Sequence, residues 1–352
     1  MIASSSVHIN PQRRPRRSWR IARRISIGLV MVVGVCFAAG LIAKISLRSQ
    51  YPAPGQRVDV GGYALHLSCV GTGSPTVILE GGQGALGLIW GNVQPAIAAS
   101  TRVCSYDRAG YGWSDPSPLP RTALASVGEL HTLLQNAKIA PPYILVGHAI
   151  GGVYTKVYAH RYPTEVIGMV LVDSAHERQN ELLPPAYQQA MAAINRQTEK
   201  QLRLLKPLIN LGVFALRPSW LGASAKLPAN DRAAYNALLA TSSTSMETSS
   251  AELKAIDASF SEVAALNITS IGTIPLIVLH RGMAEPLPAN ITLAPEVLAQ
   301  AEAQAKQQQA SLVTLSPQGQ LITVEQSGHN IQLDQPAAVI GAIESVLRAT
   351  QR

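Results

Sequence analysis

The sequence predicts an α/β protein built on a mostly parallel sheet covered by helices on both faces, and three observations carry that prediction. Short apolar runs of strand length alternate with longer runs of helical periodicity along most of the chain. The run Tyr143-Ile144-Leu145-Val146-Gly147-His148 reads as one such strand, and it passes through a tight turn with glycines at 147, 151 and 152 into a helix over Val153–Arg161. Between Asp173 and Ile274, about 100 residues hold no strand-like run, too many for a plain loop in a compact domain.

The N-terminal part reads differently. Residues 1–24 form a polar then basic tail with Arg13, Arg14, Arg16, Arg17, Arg20, Arg23 and Arg24, expected to be disordered. An apolar run follows from Ile25 to Ile45, broken only by Lys44. Its first 19 residues would span about 28 Å as a helix, close to the thickness of a bilayer core. Residues 25–47 are therefore expected to be a membrane anchor, with a cleaved signal peptide or a buried core helix as the competing readings. The arginines lie before the span, which places the N-terminus in the cytoplasm and the large domain outside it, with the cluster near anionic lipid headgroups.

The same segment accounts for the net charge of +8. Setting aside these seven arginines, Lys44 and Arg48, 20 basic residues remain against 21 acidic ones. The folded part thus has no electrostatic footprint for nucleic acid.

Residues 48–55 read as a linker. Arg57–Val60 and Tyr63–Val70 form a hairpin around Gly61-Gly62, and Thr76–Leu79, Arg102–Tyr106 and Ile144–Val146 are the next strands, with a helix over Thr122–Asn136. Val166–Val172, Ile274–Leu279 and Leu321–Glu325 complete eight strands. The long Ala/Leu/Glu/Gln-rich runs Glu181–Leu205 and Met246–Leu266 make residues 174–273 a helical insertion after the sixth strand, broken at Ser219–Gly222 and Thr241–Ser245. Ala294–Ala310 is a further helix with a solvated face.

Three long motifs occur in order: Tyr106-Asp107-Arg108-Ala109-Gly110-Tyr111-Gly112-Trp113-Ser114, Val146-Gly147-His148-Ala149-Ile150-Gly151-Gly152, and Val170-Leu171-Val172-Asp173-Ser174. On these the chain resembles the α/β-hydrolases, and within them the bacterial esterase-type members, from Gln56 nearly to the C-terminus. The resemblance implies an α/β-hydrolase core over residues 56–173 and 274–352, with 174–273 as a cap over the site. It also sets Cys69 and Cys104 on neighbouring strands, where they pair or stand as two buried thiols.

The elbow motif of that superfamily, G-x-S-x-G, holds its nucleophile on a strained turn between strand and helix. Here the middle position is Ala149, whose methyl group has neither lone pair nor proton. Two explanations stand: a serine-to-alanine substitution made to arrest the site, or a natural protein that has lost the hydroxyl. The base is expected at His329, on the Gly-containing turn after the last strand, with a buried structural histidine as the alternative. The acid is Asp173, directly after the sixth strand, or Glu285, after the seventh. Asp173 is preferred for its shorter reach, and its competing role is an Asx-type cap for the segment after it. The oxyanion donors are the N–H groups of Ile150 and Gly82.

Trp90, Trp113 and His176 are candidate pocket residues, and Asp107 with Arg108 a fixed ion-paired turn near the pocket floor. The Gly81-Gly82-x-Gly84 spacing fits neither a P-loop nor a dinucleotide fingerprint, and no clustered His/Cys spacing suggests a metal. No cofactor is expected. The partner is a small ester, and the Leu, Ala and Met content of the cap suggests an apolar acyl or alkyl ester. Dehalogenase or epoxide hydrolase chemistry would need a carboxylate at position 149. A membrane-tethered protein that holds a ligand without turnover is the reading from a different class.

Overall fold

A computed structural model describes residues 16–351; the first fifteen residues of the expected basic tail lie outside the described part. The chain opens with helix α1 (Arg16–Gln50), and the domain follows with β1 (Gln56–Asp59), β2 (Ala64–Val70), β3 (Thr76–Glu80), α2 (Gln94–Ile97), β4 (Val103–Asp107), α3 (Ala123–Asn136), β5 (Tyr143–His148), α4 (Ile150–Arg161) and β6 (Val166–Val172). The insertion contributes α5 (Gln179–Leu182), α6 (Pro185–Asn210), α7 (Ala229–Thr241), α8 (Thr244–Lys254) and α9 (Ile256–Ala265). Then come β7 (Leu276–Arg281), α10 (Pro295–Val313), β8 (Gly319–Val324), α11 (Ile331–Asp334) and α12 (Pro336–Thr350).

The eight strands form one sheet in the order β1-β2-β4-β3-β5-β6-β7-β8. The β1–β2 and β2–β4 pairs are antiparallel and the remaining pairs are parallel. Strands β3, β4 and β5 are buried along their whole length, which is why β3 and β5 read as largely apolar runs, while β4 buries the polar Ser105 and Asp107. Residues alternate between two cores: Ile78, Leu145 and Leu171 join α3 and α4 on one face, while Val77, Val146 and Val170 join α12 on the other. Cys69 and Cys104 face each other in the β2–β4 register and form a disulfide.

Two expectations about segment ends need correction. Helix α1 runs from Arg16 to Gln50, taking in residues 16–24 of the tail expected to be disordered and the start of the expected linker, because no proline lies between Pro15 and Pro52. The run Met246–Leu266 is two helices, α8 and α9, meeting at Ala255. Residues Ile21–Gln50 of α1 are long and apolar enough to cross a bilayer as a single-pass anchor.

The disulfide closes a loop with a sequence separation of 35 and so removes freedom chiefly from the unfolded chain. Replacing both cysteines by serine is expected to lower the unfolding free energy by about 2–4 kcal/mol in urea titrations of the detergent-solubilised protein. An unchanged midpoint would show that the bond contributes nothing to the native balance.

Candidate active site

Strand β5 ends at His148 and helix α4 begins at Ile150, so one residue makes the turn. That residue, Ala149, has φ 51° and ψ −122°, a conformation that costs a non-glycine residue about 1–3 kcal/mol and persists only where its surroundings impose it. Main-chain bonds do so: Ala149 N–H donates to Val172 O (3.2 Å), and Ala149 O accepts from the N–H groups of Gly152 (3.0 Å) and Ala175 (2.9 Å). The turn is tight because its flanks lack side chains. A Cβ at Gly147 would lie 2.6 Å from Gly151 O, and one at Gly152 would lie 2.1 Å from Ser174 Oγ.

His329 is gripped through three atoms. Its Nδ1 lies 2.6 Å from Asp173 Oδ2, its main-chain N–H donates to Glu285 Oε1 (2.8 Å), and its carbonyl accepts from His148 Nε2 (3.0 Å). A carboxylate only accepts, so the Nδ1 of His329 carries the proton of that bond and Nε2 remains the ring's other nitrogen. The same logic puts the His148 proton on Nε2. Burial, with His329 beside it, pushes the His148 pKa down to about 3, so this ring is neutral at pH 7.

Asp173 follows β6 directly, at φ 41°, with its side chain 1% exposed. Burial alone would raise its pKa. Hydrogen bonds from His280 (3.3 Å) and His329, together with the Arg281 guanidinium (3.0 Å), outweigh burial and hold the carboxyl well below the usual carboxylate range. Glu285, the alternative acid, meets the main chain of His329 and not its ring, whose Nδ1 is taken by Asp173.

Gly82 packs against the turn: a Cβ there would lie 3.3 Å from Ala149 Cβ and 2.8 Å from His148 Nδ1. Ile150 is the first residue of α4, so its N–H has no partner one turn earlier in the helix. The loop that carries Gly82 is held from below by Arg108, which donates to Gly81 O (2.6 Å), Gly82 O (2.8 Å), Glu80 Oε1 (2.6 Å) and the Glu252 carboxylate of α8 (2.9 Å). Arg108 therefore does not pair with Asp107, as the sequence suggested. Asp107 accepts instead from the His66 ring (2.8 Å) and the N–H groups of Gly87 (2.7 Å) and Trp113 (3.1 Å), because its side chain points to the opposite side of the strand end.

Ala149, Ile150, Gly82, His148, Asp173 and His329 share the wall of one cavity of about 1090 Å³, closed from above by α6 and α10. Its lining is mixed. Leu183, Met191, Leu253 and Ile256 stand beside Arg196, Glu199, Lys254, Asp257, Arg281 and Glu302. The expectation of an apolar pocket is corrected to that extent, since the polar faces of the cap helices also turn inward.

None of the three candidate pocket residues lines this cavity. Trp90 is fully buried in the core beneath the sheet, Trp113 packs 4.8 Å from the His66 ring and donates to Tyr51 O, and His176 faces Glu177 and the Arg178 N–H. The sequence reading missed the grip of His148 and Glu285 on His329, and the bond from Arg108 to Glu252. The last joins residues 144 positions apart, a separation for which local pattern gives no signal.

Residues 73–342 match the model of the alpha/beta hydrolase family. A 105-residue stretch is 38% identical to the uncharacterized protein YqjL of Bacillus subtilis, covering 30% of this chain and 42% of that one. The chain spans between 18% and 42% of the length of the first three curated relatives it matches. Among solved structures, a malate-bound esterase from Thermogutta terrifontis superposes with a TM-score of 0.56 at 19% identity, over 85% of this chain and all of that one. Est816, an N-acyl homoserine lactone degrading enzyme, superposes with a TM-score of 0.56 at 18% identity, over 82% of this chain and 99% of that one. With a fold, a sheet order and a family match that cover most of its length, this chain belongs to the alpha/beta hydrolase family.

Proposed function

We propose that the chain is the alanine form of a serine-type hydrolase of carboxylic esters. The observation that carries this reading is the Asp173–His329 pair, 2.6 Å apart, opening into the cavity whose wall is formed by the strained residue 149. In the form with a hydroxyl at 149, His329 takes its proton as the oxygen attacks the ester carbonyl. The N–H groups of Gly82 and Ile150 hold the tetrahedral oxyanion, and His329 then protonates the departing alcohol. Water repeats the sequence on the acyl-enzyme, and Asp173 stabilises the imidazolium in both halves. Without the hydroxyl the first bond cannot form, and such a loss costs about 10⁶-fold in kcat.

The mixed lining favours an ester with one apolar and one polar part. Helix α1 suits such a substrate as a retained anchor in a bacterial cytoplasmic membrane, with the arginines on the cytoplasmic side near anionic headgroups and the domain outside. The alternative is a natural ligand-binding protein without turnover, and Ala149 itself is the observation in its favour.

Ala149→Ser is expected to bring hydrolysis of p-nitrophenyl esters from near background to a level approaching the about 10⁶-fold span above, read as release of p-nitrophenol. Two equally inert proteins would instead support the binding reading. In the Ala149→Ser background, Asp173→Asn should lower kcat by about 10⁴-fold, because the His329 tautomer is then no longer fixed. Glu285→Gln, which keeps an acceptor for the His329 N–H, should leave most of kcat in place. Similar mild losses from both would remove Asp173 from the mechanism.

A further inference from the structure

Helix α1 is not free where its apolar run ends. Gly40, Ala43, Lys44 and Leu47 are covered, a spacing of i, i+3, i+4 and i+7 that defines one helix face. They meet the segment that leaves α6. A Cβ on Gly40 would lie 2.1 Å from Leu211 O, and one on Gly212 would lie 2.3 Å from Gly40 O, so the two backbones touch because neither residue has a side chain. Lys44 Nζ lies 3.4 Å from Asn210 O, and Leu47 packs against the cluster of Ile209, Phe214 and Ala240. The cap is thus fastened to α1 at the last apolar turns, the level at which a spanning helix leaves the hydrocarbon.

The outer surface of that segment carries exposed apolar side chains. Along the end of α6, Leu205 and Ile209 turn inward, whereas Leu204, Leu208 and Leu211 form an outer stripe, 64%, 41% and 47% exposed. Leu216 and Trp220 continue it at 66% and 61%. Basic residues flank the stripe in sequence, some of them paired, Arg203 with Glu199 (3.9 Å) and Lys226 with Asp334 (2.6 Å). From residue 200 to residue 230 the chain carries Lys200, Arg203, Lys206, Arg217 and Lys226 and no Asp or Glu. Lys206 reaches Glu247 on α8 (3.1 Å), and the Arg217 guanidinium lies 5.6 Å above the Trp220 ring.

We propose that this ridge, Leu204 to Trp220, is a second membrane contact that sits in the headgroup and upper acyl region of the leaflet from which α1 emerges. The inference rests on α1 spanning the bilayer. An apolar ridge with tryptophan at its rim and basic side chains around it matches the layered chemistry of a phospholipid surface: acyl chains for the leucines, carbonyl and phosphate groups for the rest. Helix α6 then has two ends with two tasks. Tyr187, Met191 and Asn195 near its start line the cavity, and Leu204 and Leu208 near its end enter lipid. An amphiphile leaving the bilayer reaches the site along one helix, with about 20 Å between Asn195 and Leu208.

The test uses the full chain in vesicles of phosphatidylcholine and phosphatidylglycerol. Cys36→Ser removes the one thiol outside the disulfide, and an environment-sensitive fluorophore is placed by Val33→Cys, Leu208→Cys, Leu216→Cys or Ile322→Cys. Nitroxide-bearing lipids are expected to quench the probes at 33, 208 and 216 and to spare the one at 322, which stands on the edge strand β8. Quenching at 33 without quenching at 208 and 216 would overturn the ridge contact and leave the anchor standing. No quenching at 33 would overturn the anchor and the contact together. A blue shift at 216 without quenching would mean that protein covers the ridge, which also overturns the proposal. Leu208→Glu with Leu216→Glu changes exposed positions only and should abolish quenching of a Trp220→Cys probe while the probe at 33 stays quenched.

Discussion

A carboxylate that is 1% exposed keeps its charge only if cations and donors surround it, and Asp173 is the point on which this site depends. It ends β6 and draws to itself the ring of His329 from the loop after β8, and both the ring of His280 and the guanidinium of Arg281 from β7. Three neighbouring strand ends are thereby tied to one group. Arg281 extends the connection to Glu302 on α10 (3.1 Å), so the helix that roofs the cavity is registered against the same carboxylate. Removing Asp173 would leave a cation and two imidazoles without their common partner, and the disturbance would reach cap and core alike.

A second buried charge works on the other side of the turn. Arg108 neutralises Glu80 and Glu252 while it holds the carbonyls of Gly81 and Gly82, and its side chain is 3% exposed. Burial opposes its charge, but the two carboxylates raise its pKa well above the ordinary value, so it stays a cation. With the carbonyls of Gly81 and Gly82 bound to Arg108 and the Gly84 N–H donating to Tyr111 Oη (3.1 Å), the path of the loop beside residue 149 is fixed. Glu252 comes from the cap, which makes the shape of the loop depend on the cap being docked.

How much of this was legible in the sequence follows from the range of each interaction. Strands β3, β5 and β6 lie between neighbours and under helices on both faces, so their burial writes itself into unbroken apolar runs, and their ends fell within one or two residues. The turn at 149 was legible because the glycine at 147 is demanded by contacts with Gly151 and Gly152 a few residues away, although the one at 152 is demanded by the distant Ser174. Trp90, Trp113 and His176 failed as pocket residues because position beside a motif says nothing about which side of the backbone a ring takes. The cavity wall failed as apolar because α6 and α10 turn their polar faces toward a space that only the assembled cap encloses. Glu285 was read as a rival to Asp173 because nothing in its neighbours distinguishes a main-chain acceptor from a ring acceptor.

The conformation of Ala149 separates scaffold from chemistry. A positive φ at a non-glycine residue is maintained here by three main-chain hydrogen bonds and by glycine flanks that leave the strand and helix no room to shift. None of the three hydrogen bonds involves a side chain. The turn is consequently as well formed with a methyl group as with a hydroxymethyl group, and the strain is balanced by packing that the nucleophile does not supply. With a methyl group at the tip of the bend, the Asp173–His329 pair, the loop held by Arg108 and the cavity are all in place around residue 149.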